Sequence, residues 1–451
     1  KLGHTAYLDG LRGVAAFVVY IFHYSYLWFP DLRWGYGVED HHMFWQMPII
    51  RALHSGRASV TVFFVISGFV LTLKTLTMIH NRKVDQALSV LAGSAFRRPL
   101  RLYLPIFAST FIIALLVYWG NYMRDPSGAP IPPRGQTLTE QLRHWFWSSI
   151  NLSNPFRPII NRENMGGSEY DGHLWTIPVE FKGSLLVFFL LLIFARTKRW
   201  IHLVGVMGTA FWLVRIGDWD QSLFCIGLLL AEISIILPNS SLSSEAAEHE
   251  TLGYGNAITT EFGLKIIYIF RHAGTLALFF LGLHLFSYPE YYGSSTPGFI
   301  TISQWVPAYY QATSDRTQLF WNSIGAVIFV FALMFEPLLQ RPFTTSFAQY
   351  LGRISYSLYL WHGAINHIIG VRWLSPAYSA LQLAQTQAQT LTEGGNEAAA
   401  IDLMQTAWSA YRLAFLYGTL VNTVALLWAS DVFNALVDVN AVKLTRWFGE
   451  K

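Results

Sequence analysis

The stretch RGVAAFVVYIFH sets Arg12 and His23 at the two ends of ten residues, nearly all apolar. A histidine titrates near neutral pH and can take a proton from a hydroxyl in a transition state. An arginine offers a planar, permanently charged fork that suits carboxylates and phosphates. In a helix, eleven residues turn about 1100°, roughly 20° from a whole number of turns, and rise about 16 Å. Arg12 and His23 then share one face. Asp9, three residues before Arg12, is placed to hold its guanidinium. Asp9 and Arg12 could equally anchor a helix end; the histidine on the same face favours a polar tunnel.

Three further stretches carry chemistry. SAFRRPLRLYLP gathers Arg97, Arg98 and Arg101 at the entrance of an apolar helix, where arginine forks match phosphate oxygens or simply flank a membrane span. HLWTIPVEF sets His173 and Glu180 seven residues apart, about two turns along one helix face. A carboxylate in apolar surroundings needs a partner or a proton. Lys182 lies roughly 200° around from Glu180 and is not expected to be that partner. LGRISYSLYLWH offers Tyr356, Tyr359 and His362, the tyrosines being equally good packing residues.

The elements that must position these groups follow from composition. The chain has 451 residues, 53% hydrophobic and only 13% charged. Ordinary soluble domains carry about 25% charge, so the expectation is an all-α, multi-pass transmembrane bundle in a lipid bilayer, one domain over 1–451. A net charge of +4 is too small to suggest nucleic acid. Cys225 is the single cysteine, which excludes an internal disulfide. No metal site is expected. The first apolar run continues into motif residues, which argues against a cleavable signal peptide.

A span needs about 20 mostly apolar residues. Ten stretches qualify: roughly 6–28, 58–79, 102–122, 173–195, 200–216, 221–237, 267–288, 319–339, 350–371 and 407–432. Alternate connections hold Arg82, Lys83, Arg97 and Arg98, then Arg196, Lys198 and Arg199, then Lys443, Arg446 and Lys451. The opposite connections contain no lysine. The positive-inside rule therefore predicts both termini in the cytoplasm. Outer loops are expected at about 123–171, where RDPSGAPIPPRG reads as turns and extended chain, and at about 374–405, flexible or partly helical. A polar inner loop is expected at about 238–265. In FFVISGF, Ser67 and Gly68 read mainly as small residues permitting close helix packing.

YLDGLRG followed by His23, FFVISGF at 63–69, FRRPLR at 96–101, HLWTIPVEF at 173–181 and SYSLYLWH at 355–362 together resemble the acyltransferase-three family, and the wording HLWTIPVEFKGS looks closer to its fungal members. The motifs fall in the family's order over nearly the whole chain. The resemblance implies an integral membrane enzyme that moves an acyl group, most commonly acetyl, from coenzyme A to a carbohydrate or other hydroxyl-bearing acceptor. It implies that Arg12 and His23 are essential, and that Arg98 and Arg101, with Arg97 adjacent, meet the donor's phosphates. Acyl-CoA would be a co-substrate, with no cofactor bound permanently. On this reading His23 is the general base, with direct transfer preferred over an acyl-histidine, and Glu180 orients His23 or another proton carrier. His173 and His362 are the next candidates for the base. The alternative is a proton-coupled transporter or flippase with His23 and Glu180 as relays; the arginine cluster favours a nucleotide donor.

Overall fold

A computed structural model describes residues 3–126, 131–154, 167–237 and 257–449, with side chains from Phe270 onward in the last stretch. The described residues are predominantly helical, with isolated β-bridges and no strand element. The helices are α1 (Ala6–Trp28), α2 (Gly56–His80), α3 (Val84–Tyr118), α4 (Leu138–Ser153), α5 (Thr176–Phe194), α6 (Arg199–Ile216), α7 (Trp219–Ile236), α8 (Ala257–Phe286), α9 (Ser314–Phe335), α10 (Ser346–Ile365), α11 (Val371–Glu393), α12 (Glu397–Phe433) and α13 (Val439–Gly449). Six stretches among the described residues are long and apolar enough to cross a membrane, from α2, α3, α5, α7, α9 and α12. The ten expected spans all coincide with helices; α1, α6 and α10 fall short of that measure, and the side chains of α8 are described only from Phe270 onward.

Three expectations need correction. The third helix begins at Val84, well before residue 102, so Arg97, Arg98 and Arg101 lie along its middle rather than at its entrance. The preceding VDQALSVLAGSA is rich in good helix formers, and Pro99 and Pro105 do not stop it. Residues 374–405, expected as a loop flexible or partly helical, are helical almost throughout and form a hairpin. Leu381, Ala384 and Ala388 are buried at helical spacing on α11, Gly395 turns the chain at φ +78°, and the Asn396 side chain caps α12. The segment 123–171, expected as an outer loop, contains α4, started by Thr137 and Glu140 as a reciprocal capping pair. The inner loop expected over 238–265 lies outside the described residues up to 256, and the backbone is helical from Ala257.

The helices group into two compact units. The first takes residues 1–22, 31–99 and 179–353; the second takes 23–30, 100–178 and 354–451.

In the first unit, α2 packs along α7, and α9 against both α2 and α8. The close approach of α2 and α7 depends on missing side chains. A Cβ on Gly68 would overlap the backbone oxygen of Phe224, and one on Gly227 would overlap that of Val65. Gly68 thus has the packing role expected of it. The start of α1 meets α10 in the same way, with Gly13 against the Gly352 backbone and Gly352 against Asp9. Gly10, whose Cβ would overlap the Phe343 carbonyl oxygen, and Gly13 give YLDGLRG its two glycines.

Also in the first unit, His54 is buried in the short turn before α2, its Nε2 2.8 Å from the Trp45 carbonyl oxygen. Burial, reinforced by the charge of Arg51, lowers its pKa to about 4 against the help of that hydrogen bond. The folded protein therefore holds His54 neutral, while the unfolded chain protonates it near pH 6.5. The stability this confers is complete above pH 6.5 and is lost as pH falls towards 4, up to about 3 kcal/mol. Thermal unfolding between pH 7 and 4.5 should show a steeper loss in wild type than in His54→Gln. Parallel curves would remove His54 as the source.

In the second unit α11 and α12 form the hairpin. The Tyr411 hydroxyl donates to the Trp28 carbonyl oxygen at 3.0 Å, and Asn422 Nδ2 donates to Asn366 Oδ1 at 2.7 Å. These bonds tie the hairpin to the end of α1 and to the wide turn after α10.

Candidate active site

Three histidines from distant parts of the chain meet in the second unit. His23 lies on the last part of α1, His173 in the 3-10 turn Gly172–Trp175, and His362 on α10. Ring centroids are 3.9 Å apart for His23 and His173, 5.2 Å for His23 and His362, and 4.4 Å for His173 and His362. One nitrogen from each lies within 4.8 Å of the others, a spacing that a metal ion could bridge.

Local structure explains how each ring is held. Asp171 caps the 3-10 turn, its Oδ1 accepting from the His173 backbone N–H at 2.9 Å. The same oxygen meets His173 Nδ1 at 2.9 Å, which keeps a proton on Nδ1, so that in the neutral ring Nε2 carries the lone pair. His362 Nδ1 donates to the Tyr359 carbonyl oxygen at 2.7 Å, leaving its Nε2 in the same state. Tyr359 donates its hydroxyl to the His173 carbonyl oxygen at 2.8 Å and meets the Thr176 hydroxyl at 2.8 Å. The base of the cluster is thereby stitched to the start of α5.

Asp171 is almost completely buried. Burial by itself would push its carboxyl up, but the charge and hydrogen bonds of His173, with His362 beyond, outweigh it and hold the carboxyl below its ordinary range. A carboxylate, an oriented imidazole and two further imidazoles make a proton-accepting centre.

The other expected residues sit as follows. Helix α1 is unbroken from Ala6 to Trp28, so Arg12 and His23 keep the eleven-residue helical relation. Arg12 Nη2 pairs with Asp9 Oδ1 at 3.4 Å and donates to the Gly352 carbonyl oxygen at 3.4 Å. His173 and Glu180 do not share a helical face, because α5 starts only at Thr176. The Asp171 cap folds HLW into a tighter turn, and Pro178 then sits in the first turn of α5, where its missing N–H costs little.

In the first unit, Glu180 accepts from Arg98 Nη2 in an ion pair and from Ser67 Oγ at 2.7 Å. Arg98 Nε donates to Ser184 Oγ at 2.8 Å. Side-chain exposures of 12% for Arg98 and 15% for Glu180 make this a largely buried pair. Arg97 is half-buried and Arg101 exposed. Tyr356 donates its hydroxyl to the Leu102 carbonyl oxygen at 2.5 Å, a bond within the second unit.

Sequence reasoning missed Asp171 and gave Ser67 too small a role. Asp171 had a signal: an aspartate two residues before a histidine at a helix start is a capping arrangement. Ser67 had none, since only the fold brings α2 to Glu180.

A model of the acyltransferase-domain family matches residues 5–427. The chain belongs to the acyltransferase-three family. Its relatives include O-acetyltransferase PaAT-1 of Phomopsis amygdali, 30% identical over 401 residues, which are 83% of this chain and 75% of that protein. Acyltransferase clz18 of Cochliobolus lunatus is 25% identical over 406 residues, covering 79% of this chain and 82% of the relative. Acyltransferase R4 of a Phoma species is 26% identical over 412 residues, with the same two coverages. These fungal relatives agree with the fungal wording of HLWTIPVEF. No solved structure matches the chain. The protein is an acyltransferase with several apolar helices able to span a membrane.

Proposed function

We propose that this acyltransferase is a multi-pass membrane enzyme, both termini cytoplasmic, that moves an acyl group, most simply acetyl, from acyl-CoA to a hydroxyl-bearing acceptor such as a carbohydrate or small metabolite. The observation that carries the reading is the cluster of His23, His173 and His362 backed by the Asp171 carboxylate. His23 takes the acceptor's hydroxyl proton as the oxygen attacks the thioester carbonyl. The carbon–sulfur bond then breaks, and the thiolate of coenzyme A leaves with the proton returned by the imidazolium. Asp171, through His173, supplies the negative charge that offsets the cation the cluster acquires. Arg97, Arg98 and Arg101 on α3 are the proposed ligands of the donor's phosphates, since guanidinium forks pair with phosphate oxygens. The O-acetyltransferase name of the Phomopsis relative supports an oxygen acceptor and a short acyl group.

Two measurements on the purified full chain test this. Saturating acetyl-CoA should raise the unfolding temperature, since a ligand at 100 times its Kd adds about 2.7 kcal/mol to the folded state. A hydroxyl acceptor should then make free coenzyme A thiol appear in step with ester. Absence of both stabilisation and thiol release across a panel of hydroxyl acceptors would sink the acyl-CoA reading.

A further inference from the structure

The three imidazoles have a second capacity. We propose that His23, His173 and His362 form a binding site for a divalent transition-metal ion of the zinc class, and that an ion seated there silences the enzyme. Sequence spacing hides such a site, because its ligands come from α1, the turn before α5 and α10.

The geometry is close to what zinc requires. One nitrogen of each ring lies within 4.8 Å of the other two. Around a tetrahedral zinc with bonds of about 2.0–2.1 Å, ligand nitrogens stand about 3.4 Å apart. Side-chain rotations that draw the nitrogens together by up to about 1.4 Å would complete the set, with a water in the fourth position.

The outer support is already built. Metal-bound histidines characteristically donate their other ring N–H to a carboxylate or a backbone carbonyl, which fixes the tautomer and raises the basicity of the ligating nitrogen. His173 has this arrangement with Asp171 Oδ1 and His362 has it with the Tyr359 carbonyl. His362 is fully buried, and its Nε2 finds no hydrogen-bond partner among the described residues. A buried acceptor nitrogen left so is costly, and a metal ion would satisfy it. The second oxygen of Asp171 is likewise buried without a hydrogen-bond partner among the described residues, and the carboxylate's negative charge partly offsets that of a dication. Three neutral imidazoles suit zinc, copper or nickel better than magnesium or calcium, which prefer oxygen ligands.

The silencing half of the proposal rests on the acyl-transfer reading: a metal ion would occupy the imidazole lone pair that must otherwise receive the acceptor's proton. The site itself does not depend on that reading.

The probe is Co²⁺ added to the chelator-stripped full chain in detergent. The expected result is an intense visible absorption band of tetrahedral type, saturating at one ion per chain and displaced by Zn²⁺. His23→Gln, His173→Gln and His362→Gln should each abolish the band. Asp171→Asn keeps all three ligands and should weaken binding by about 10–100-fold; it also covers the case in which a histidine variant fails to fold. No band in wild type, or a band undiminished in every variant, would overturn the site. Zn²⁺ should halt acyl transfer over the range in which it displaces Co²⁺, and a chelator should restore it. Binding without inhibition would overturn the silencing and place the base elsewhere, leaving the metal site standing. Absence of binding beside a base that still fails in His23→Gln would overturn the metal site alone.

Discussion

His23→Ala and His23→Gln should retain the fold and lose acyl transfer by about 10²–10⁴, the usual contribution of a positioned general base. Donor binding, read as thermal stabilisation by acetyl-CoA, should survive in both. The reason is local: His23 lies 3.9 Å, ring to ring, from an imidazole held by a buried carboxylate. Asp171→Asn tests the support behind that pair. An amide in place of the carboxylate can present its NH₂ to His173 Nδ1, which favours the wrong tautomer and withdraws the compensating charge. It should lower kcat far more than it raises the KM for acetyl-CoA. A merely structural Asp171 would instead show loss of stability with kcat unchanged per folded molecule. If His23→Ala binds donor and still acylates at a near wild-type rate, the base is His173 or His362. Loss of donor binding would make His23 part of the donor pocket.

The second large effect is expected at Arg98. The ion pair with Glu180 is mostly buried and is braced by Ser67 and Ser184. Removing one partner of such a pair leaves an uncompensated charge and typically costs about 3–5 kcal/mol. Arg98→Ala should therefore lower stability before any question of donor affinity arises. Arg98→Lys should recover part of the loss, since a point charge meets Glu180 but cannot reach Ser184 as the fork does. The double variant Arg98→Met, Glu180→Leu should be much more stable than Arg98→Ala, because replacing both charges by apolar side chains removes the unpaired carboxylate. If Arg98→Ala unfolds at the wild-type temperature and loses only acetyl-CoA affinity, the Glu180 contact is incidental and the arginine belongs to the donor alone. Arg101 is exposed and should show the opposite balance: little change in stability and weaker donor binding.

The amino-acid sequence by itself determined the class of molecule and the place of most helices, and it singled out the three histidines that the fold brings together. Long apolar runs can satisfy their backbone in lipid only as helices or closed barrels, and a chain with so little charge leaves few other choices. The spacing of Arg12 and His23 predicts one continuous helix, and α1 is that helix. The five motifs in order predict the family that the comparison returns. Where local rules are sufficient, as in the Asp171 cap, the sequence carries the signal. Tertiary structure alone decided the partners. Glu180, expected beside His23 or another proton carrier, is paired with Arg98 and Ser67, which stand on α3 and α2. His173 gains an aspartate and two histidines in place of Glu180. The reason is that helical periodicity tells which residues of one helix share a face, whereas the neighbour each face meets is set by packing between helices. At Gly68, Gly227, Gly13 and Gly352 that packing brings backbones into contact, and no single helix carries that information.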